Sequence, residues 1–296
     1  MQSVFIIGGT TFDHIISLPA FPKPVLQTIH TAPFHEGTGS TGAGKALNLT
    51  RLGVPNTLYS VLGDDVYGGY ITKDLRLNNV ELMFDIDPAG TERHVNIMNA
   101  DGGRISMFVT TSSEKIDHNI PQIENLIEQS DIIVLNIISY CRHLIPSLKK
   151  FNKPVWTDLH DYDGSNSYHT DFINASQYIQ LSSDNLPNYL SVMERLVGEG
   201  KEMVICTHGK KGASLLTKEG QWIEVSSLLN YPAVDTNGAG DAFFAGFLSG
   251  WIHNYELSAC MQMGATCGAL CVGSKQLFSP VLTADFLAAE VKKNFE

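Results

Sequence analysis

Short apolar runs bounded by Gly or Asp alternate with longer stretches that suit helices along most of the chain. Near-continuous apolarity is typical of strands that are buried on both faces, as in a parallel sheet with helices on each side. The predicted strands are Val4–Ile7, 57–61, 131–137, 154–158, 178–181 and Met203–Thr207. The predicted helices are 42–52, 69–78, 120–128, 186–197, 238–251 and 258–272. This alternation predicts an α/β fold with a doubly wound, mainly parallel sheet flanked by helices.

Two stretches break the alternation. Residues 14–35 are rich in proline and alternate only loosely, and residues 92–110 divide into two strand-like runs joined by Ala100-Asp101-Gly102-Gly103. The Asp-Gly step is typical of a hairpin because it supplies positive φ. We therefore expect a small β-rich lid, formed by about residues 14–38 and 91–111, that projects from the main sheet and closes over a ligand.

Length and composition predict a single large domain. The chain has 296 residues, of which 43% are hydrophobic and 17% charged. A chain of this length buries about three quarters of its extended surface. We expect residues 1–296 to form one domain that carries the lid as a discontinuous part. The five cysteines follow no regular framework and the histidines form no HExxH motif, so we predict core cysteines and no zinc site.

The net charge of −11 argues against two classes of partner. Nucleic acids and anionic membranes both select proteins with a basic face. The N-terminus lacks a basic segment before its apolar run, and the apolar runs are too short to span a membrane. We therefore expect a cytoplasmic protein with a small partner. If that partner is ATP, backbone amides, a helix dipole and a divalent cation must offset the acidic excess.

A glycine-rich segment from Gly39 to Ala46 matches the spacing of a P-loop. Ala46 stands where that motif requires a Ser or Thr hydroxyl for Mg²⁺, and no buried strand precedes the segment. We interpret it instead as a loop that faces the substrate, with a close helix–sheet contact as the alternative.

A second segment, 235–250, reads DTNGAGDAFFAGFLSG. The small residues Gly238, Ala239 and Gly240 allow close approach of a ligand to a helix start, where backbone amides are unpaired and favour an anion. Asp241 follows in the first helical turn, where a carboxylate can accept a proton from an attacking hydroxyl. The structural alternative is an ordinary acidic residue that stabilises a helix N-terminus.

Segment 235–250 resembles the C-terminal signature of the PfkB/ribokinase-like carbohydrate kinase family, and the resemblance extends over nearly the whole chain. It implies that Asp241 is the catalytic base and that the amides of Gly238, Ala239 and Gly240 form the anion hole for the transferred phosphoryl group. It also implies ATP as the donor, with Mg²⁺. Asp235 is similar to a family position near a monovalent-cation site, which would hold K⁺ in some members.

Other segments are similar to this family as well. Residues 6–15 resemble its first strand and turn, in which Asp13 would bind substrate hydroxyls; a carboxylate can accept two of them. Segment 207–213 resembles its TxGxxG turn, which implies nucleotide contacts from Thr207, Gly209 and Gly212. Segment 264–275, with Lys275, lies where the family packs a helix and loop against the base.

The chain departs from the family pattern at two positions. In the N-terminal signature, which includes Gly39, Ser40 and Gly42, the usual Asn is Gly44. Lys45 or Asn48 then compensates for the lost substrate contact, or the substrate is different. After the strand at 178–181 the family often has NxxE, whose Glu helps to organise Mg²⁺. Here the segment begins at Ser182 and carries the neutral Asn185 in place of that Glu.

Candidate acceptor contacts come from the lid and from one strand end. His94 and Asn96 lie two positions apart and share one face of a predicted lid strand, and His160 follows the strand at 154–158. Each can hydrogen-bond a polyol, and each has a structural role as the alternative. We therefore expect His94 and Asn96 to contact the substrate.

Three functional hypotheses follow. The first is an ATP-dependent kinase that phosphorylates a hydroxyl of a sugar or sugar derivative. The second is a nucleoside kinase of the same family, with Phe12, Phe34 and Phe108 as candidates to stack on a base. The third, motivated by Gly44 and Asn185, is a non-catalytic sugar or nucleotide sensor. A homodimer formed through the lid is compatible with each of them.

Overall fold

The computed structural model describes residues 2–100 and 102–295. Its strands are β1 (Val4–Ile7), β2 (Thr11–Leu18), β3 (Phe34–Gly39), β4 (Asn56–Leu62), β5 (Glu81–Ile86), β6 (Arg93–Asn99), β7 (Arg104–Thr110), β8 (Ile132–Asn136), β9 (Val155–Asp158), β10 (Tyr178–Ser182), β11 (Met203–Thr207), β12 (Ala213–Thr217) and β13 (Trp222–Val225). Its helices are α1 (Thr41–Arg51), α2 (Val66–Leu77), α3 (Ile120–Gln129), α4 (Ser139–Arg142), α5 (Ile145–Leu148), α6 (Thr170–Ala175), α7 (Tyr189–Gly198), α8 (Ala239–Ile252), α9 (Leu257–Val272) and α10 (Ala284–Phe295).

Nine strands form the main sheet, in the order β13-β12-β11-β10-β9-β8-β1-β4-β5. The strands from β11 to β5 are parallel, whereas β12 and β13 are antiparallel additions at one edge. The chain leaves β1 for β4 on one side and later fills the other side from β8 onwards, so the sheet is doubly wound. The predicted fold class is confirmed, and each of the six predicted strands is present within one or two residues.

Hydrophobic packing covers both faces of the main sheet. Along β1, Val4 and Ile6 belong to one buried cluster with α1, α8 and α9, while Phe5 and Ile7 belong to a second cluster with α3 and α5. Successive strand residues point to opposite faces, so a run of four apolar residues supplies both layers. The five cysteines are all buried and free, as predicted for core residues.

The remaining strands form a separate small sheet in the order β3-β2-β6-β7. It is built from the two stretches that break the helix–strand alternation, with β2 parallel to β6 and the other pairs antiparallel. The predicted hairpin is present as β6 and β7, and Gly102 in its turn has φ +85°. Asp101, the other turn residue on which that prediction depended, lies outside the described residues.

Within residues 2–100 and 102–295, none of the helices combines the length and the apolar character that crossing a membrane requires. The same residues contain no group of three or more His, Cys, Asp or Glu side chains arranged to hold a metal ion.

Candidate active site

The predicted site residues gather at the carboxyl ends of the parallel strands. β1 leads into Gly8 and Gly9, and β9, β10 and β11 end at Asp158, Ser182 and Thr207. Because β1 lies between β4 and β8, this edge includes the point where the strand order reverses. Ligands of doubly wound sheets bind in the crevice at that point.

Asp13 lies at the base of the small sheet and is 3% exposed. Its Oδ1 accepts a hydrogen bond from Thr11 Oγ1 at 2.6 Å, and its Oδ2 accepts one from Asn96 Nδ2 at 3.0 Å. Burial raises the pKa of this carboxyl above its ordinary value, although the hydrogen bonds and nearby cations oppose the shift. The group is therefore held in place by neighbours that leave lone pairs for further donors.

His94 and Asn96 extend from β6 on the same face of the small sheet as Asp13. His94 Nε2 lies 2.8 Å from Glu92 Oε1, and its Nδ1 lies 3.8 Å from Asp13 Oδ1. Phe108 of β7 is opposite His94, with ring centroids 3.9 Å apart, and is mostly exposed. The sequence prediction that His94 and Asn96 share a face is confirmed.

The segment from the end of β3 to the start of α1 contacts both Asp13 and the loop after β1. A β-carbon on Gly39 would lie 2.3 Å from the Asp13 carboxylate, and one on Gly42 would lie 2.5 Å from the carbonyl oxygen of Gly9. Ser40, between them, has φ 75° and ψ 156°. That combination belongs to a region of backbone conformation which is almost exclusive to glycine. The segment therefore approaches the first strand closely, as both interpretations of this glycine-rich loop anticipate.

The segment around Gly238 forms the start of α8. Gly238 has φ +78° and precedes the first helical residue, Ala239, while a β-carbon on Gly240 would meet nothing within 4 Å. Amides in a first helical turn have no partner four residues back; that of Ala239 makes a 3.3 Å contact with the carbonyl of Thr236. Asp241 follows on this turn, with its side chain 13% exposed. The helix start is therefore open on the side where an anion would approach.

Lys45 meets Asp241 in the interior rather than reaching into the cleft. Its side chain is fully buried, and its ammonium lies 2.5 Å from Asp241 Oδ1 and 3.1 Å from Asp158 Oδ2. Burial alone would lower the pKa of Lys45, but the two carboxylates raise it above its ordinary value. Burial, the largest single influence, would raise the pKa of Asp158, but Lys45 and His160 together more than offset it, so that the pKa is lowered. Lys45, predicted as a substrate contact, is thus paired with the predicted base in this conformation.

The predicted nucleotide residues line the ends of β10 and β11 and the loops beyond them. Ser182 and Thr207 are paired in register and half-buried, and Lys275 is exposed on the loop after α9. Gly209 and Gly212 both have positive φ, and a β-carbon on Gly212 would lie 1.9 Å from the carbonyl oxygen of Val225. This turn therefore requires glycine at position 212 for steric reasons.

Asn185, which replaces the usual Glu of this segment, is paired with a carboxylate. Its Nδ2 donates to Oδ2 of Asp161 at 3.1 Å, and both side chains are exposed. Asp235, the candidate monovalent-cation residue, accepts a hydrogen bond from the amide of Asn237 at 2.8 Å. His160, another candidate, has φ 52° and places Nδ1 3.8 Å from Asp158 Oδ2.

Four residues of this arrangement were not anticipated from the sequence: Thr41, Asp158, Asp161 and Gln180. Thr41 donates to Asp241 Oδ1 at 2.5 Å, and Gln180 Nε2 lies 3.2 Å from Asp158 Oδ2 and 3.1 Å from the carbonyl oxygen of Gly240. Asp158 could have been identified from the sequence, because a carboxylate at the carboxyl end of an apolar strand lies at the ligand-binding edge of a doubly wound sheet.

Comparisons with known proteins agree with this geometry. The sequence pattern described as "pfkB family carbohydrate kinase" matches residues 170–284. The acarbose 7(IV)-phosphotransferase of Actinoplanes sp. is 28% identical over 270 residues, which cover 90% of each chain. The structure of a microbiome-derived acarbose kinase, Mak1, matches with a TM-score of 0.87 at 25% identity, covering 98% of this chain and 99% of that one. Residues 170–284 thus match the pfkB family of carbohydrate kinases, and the similarity to kinases of this kind extends over nearly the whole chain.

These similarities confirm the prediction of an ATP-dependent carbohydrate kinase. The nucleoside kinase of Methanocaldococcus jannaschii is also related, at 23% identity over 99% of this chain and 98% of that one. The pfkB match includes the whole segment 235–250 and the turn at 207–213.

Proposed function

We propose that this kinase transfers the terminal phosphoryl group of ATP to a hydroxyl of a sugar derivative, with Asp241 as the base. The observation that carries the proposal is the position of Asp241 on the first turn of α8, beside the open amides around Gly240. A hydroxyl that binds between them meets a proton acceptor and a set of anion-stabilising dipoles at once.

Asp13 is proposed as the principal acceptor contact. Its buried carboxylate, steadied by Thr11 and Asn96, is suited to accept two hydroxyl hydrogens from one polyol. His94 and the exposed ring of Phe108 lie next to it and would contact the sugar ring. Gly39, Ser40 and Gly42 form the adjoining backbone wall. Acarbose, the compound named for two similar proteins, is the first acceptor to test.

A nucleoside acceptor is the second candidate, and one observation favours it. Phe108 is 61% exposed beside the acceptor residues, where a base could stack on it. The other two aromatic candidates are placed differently: Phe12 is buried against Tyr67 and Tyr70, and Phe34, although 57% exposed, lies on the face of the small sheet opposite to Asp13. Phe108 also suits a sugar ring, so the acceptor panel must contain both classes.

Mg²⁺ is the metal we propose for the bound nucleotide. It would supply positive charge next to the phosphates of ATP, which a chain of net charge −11 needs. Asp161 and Asn185, hydrogen-bonded at the strand ends, provide one carboxylate and one amide oxygen, and Mg²⁺ in such sites uses few protein ligands. Asp161 would thus restore the charge that Asn185 lacks. A role for K⁺ near Asp235 stays a prediction.

In this proposal, Ser182, Thr207, Gly209, Gly212 and Lys275 bind the nucleotide at the ends of β10 and β11. The small sheet acts as the lid of the single domain, because it carries Asp13 and its hairpin already contacts the anion-hole segment. Thr236 Oγ1 donates to the carbonyl oxygen of Gly102 at 3.1 Å. Exclusion of water by this contact would protect ATP from hydrolysis.

A homodimer through the lid is proposed from the alternation along β7. Ser106 and Phe108 share the face of Asn96 and His94, whereas Ile105, Met107 and Val109 point to the opposite, outer face and are exposed. A second copy of the chain, presenting the same stripe, would cover it. Sedimentation velocity of wild type and Met107→Glu tests this, and a wild-type monomer at micromolar concentration would refute it. We also propose a cytoplasmic location and no nucleic-acid or membrane partner, given the acidic net charge.

The test is an ADP-release assay with acarbose, mono- and disaccharides and nucleosides as acceptors. One series replaces KCl with NaCl to test the need for K⁺, and another adds EDTA to test the need for Mg²⁺. Asp241→Asn should lower kcat by at least about 10³-fold while acceptor-induced thermal stabilisation persists. Asp285→Asn is the matched control, because Asp285 also lies in the first turn of a helix, α10. Near-normal turnover by Asp241→Asn would refute the proposed role of Asp241.

A further inference from the structure

Lys45 is a fully buried lysine whose three ammonium hydrogens match three oxygen acceptors. The acceptors are Thr41 Oγ1, Asp241 Oδ1 at 2.5 Å and Asp158 Oδ2 at 3.1 Å. Thr41 in turn donates to the same Oδ1 of Asp241. The side chain of Asp241 is therefore anchored through one oxygen by two donors of α1.

The other oxygen of Asp241 lies next to a glycine. A β-carbon on Gly44 would be 2.7 Å from Asp241 Oδ2, closer than non-bonded atoms approach. Both side-chain hydrogen bonds that Asp241 accepts from the described residues go to Oδ1. The neighbouring residues Gly44 and Lys45 thus have complementary effects, since one leaves Oδ2 accessible and the other holds Oδ1.

Asp158 gives the buried ammonium of Lys45 a second negative partner besides Asp241. A buried ammonium whose only partner became protonated would lose its counter-charge, which is strongly unfavourable in the interior. Here Lys45 keeps Asp158 as a partner when Asp241 takes up a proton, and the cluster passes from one excess negative charge to neutrality. Gln180 Nε2 steadies Asp158 at 3.2 Å and also reaches the carbonyl of Gly240 in the anion-hole segment.

We propose that Lys45 is a positioning residue for Asp241, that Asp158 is its permanent counter-charge, and that Gly44 is required to leave Asp241 Oδ2 open to the acceptor hydroxyl. The inference rests on the proposed role of Asp241 as base. Gly44 is then not simply the site of a lost substrate contact. Gly44 and Lys45 together orient the base and do not bind the sugar.

The first test is Lys45→Met, which removes the charge and keeps an unbranched side chain. We expect kcat to fall about 10²-fold, as for a base displaced by about 1 Å, with the KM for the acceptor changed less than about threefold. In the Asp241→Asn background the same substitution should cost less than about threefold, because Lys45 acts through Asp241. Asp158→Asn should also lower kcat, because Lys45 then loses its counter-charge when Asp241 is protonated.

Lys201→Met is the matched control for loss of a buried lysine. Lys201 is 8% exposed and donates to the backbone carbonyls of Ile173 and Ser176, away from this cluster. The Lys201→Met substitution should lower the melting temperature of the protein without lowering kcat. If Lys45→Met fails to fold, Gly44→Ala gives the independent test, with Gly69→Ala of α2, where a β-carbon meets nothing, as its control. Gly44→Ala should lower kcat about tenfold or more.

These variants distinguish the positioning role of Lys45 and Gly44 from the role of Asp241 as base. If Asp241→Asn is inactive while folded Lys45→Met or Gly44→Ala turns over within about threefold of wild type, the positioning role is refuted and the kinase proposal stands. If Asp241→Asn itself turns over normally, the proposed base is wrong and the inference falls with it.

Discussion

Gly39 and Asp13 are in direct contact through the backbone of one and the side chain of the other. A β-carbon at residue 39 would lie 2.3 to 2.4 Å from the three carboxylate atoms of Asp13. The last residue of β3 must therefore lack a side chain for Asp13 to keep its present position. The proposed acceptor-binding carboxylate and the end of β3 are consequently fixed with respect to each other.

Gly39→Ala should displace Asp13 and weaken acceptor binding. We expect the KM for the sugar to rise about tenfold or more, because a buried hydrogen-bonded carboxylate moved from its partners loses charge-assisted hydrogen bonds. The KM for ATP should change little. Gly37→Ala on the same strand, where a β-carbon meets nothing within 4 Å, is the control. If both substitutions raised the KM for the sugar equally, contact between residue 39 and Asp13 would not be the cause.

Acceptor binding should weaken on acidification at a higher pH than an ordinary aspartate would cause. Burial raises the pKa of Asp13 above the usual 3.8, so this carboxylate becomes protonated earlier as the pH falls. A protonated carboxyl accepts fewer hydroxyl hydrogens. Calorimetric affinities for the sugar across pH 4 to 8 should fall on the acid side. Asp13→Asn should bind weakly at every pH, and an acid limb that persists in this variant would exclude Asp13 as its origin.

Ser40→Gly should stabilise the protein. Ser40 adopts φ 75° and ψ 156°, a conformation that costs a non-glycine residue about 1–3 kcal/mol. Glycine loses about 0.5–1 kcal/mol of this gain through its greater freedom in the unfolded chain. The net increase in the free energy of unfolding should be about 1 kcal/mol by urea denaturation. Ser130 has an ordinary φ of −89°, so Ser130→Gly relieves no strain and should instead destabilise the protein.

Arg104 of β7 connects the small sheet to the segment before α8, since its Nη1 donates to Asn237 Oδ1 at 2.8 Å. Arg104→Ala should loosen this contact and admit water, raising ADP release without acceptor by a few-fold. Arg93→Ala removes another guanidinium of the same sheet, one that packs on Tyr67, and should leave this background rate unchanged. An unchanged background rate in Arg104→Ala would show that the contact does not control water access.

The sequence predicted the elements whose hydrophobic pattern is continuous, because strands buried on both faces differ clearly from their surroundings. It did not reveal β12, which is buried between β11 and β13, or the two edge strands β5 and β13, which are partly exposed. Edge strands have weaker patterns because one side lacks a neighbouring strand.

At the active site, the sequence predicted Asp241, the helix start around Gly240, and Asp13, because each belongs to a local motif. The ion pair between Lys45 and Asp241 joins residues 196 positions apart, and no local pattern contains it. Gly44 therefore looked like a missing contact. Its role depends on a side chain from a different helix.

Three consecutive residues, 39 to 41, connect the proposed acceptor contact with the proposed base. Gly39 contacts Asp13, and Thr41 donates to Asp241, so one short segment of backbone touches both the proposed sugar-binding carboxylate and the proposed base. With Asp13 and Asp241 in their proposed roles, the regiochemistry of phosphorylation becomes a property of this segment. A polyol can offer several hydroxyls to Asp13, but only the one at the matching separation reaches Asp241. A change in the length of this turn is then expected to bring a different hydroxyl of the acceptor to Asp241.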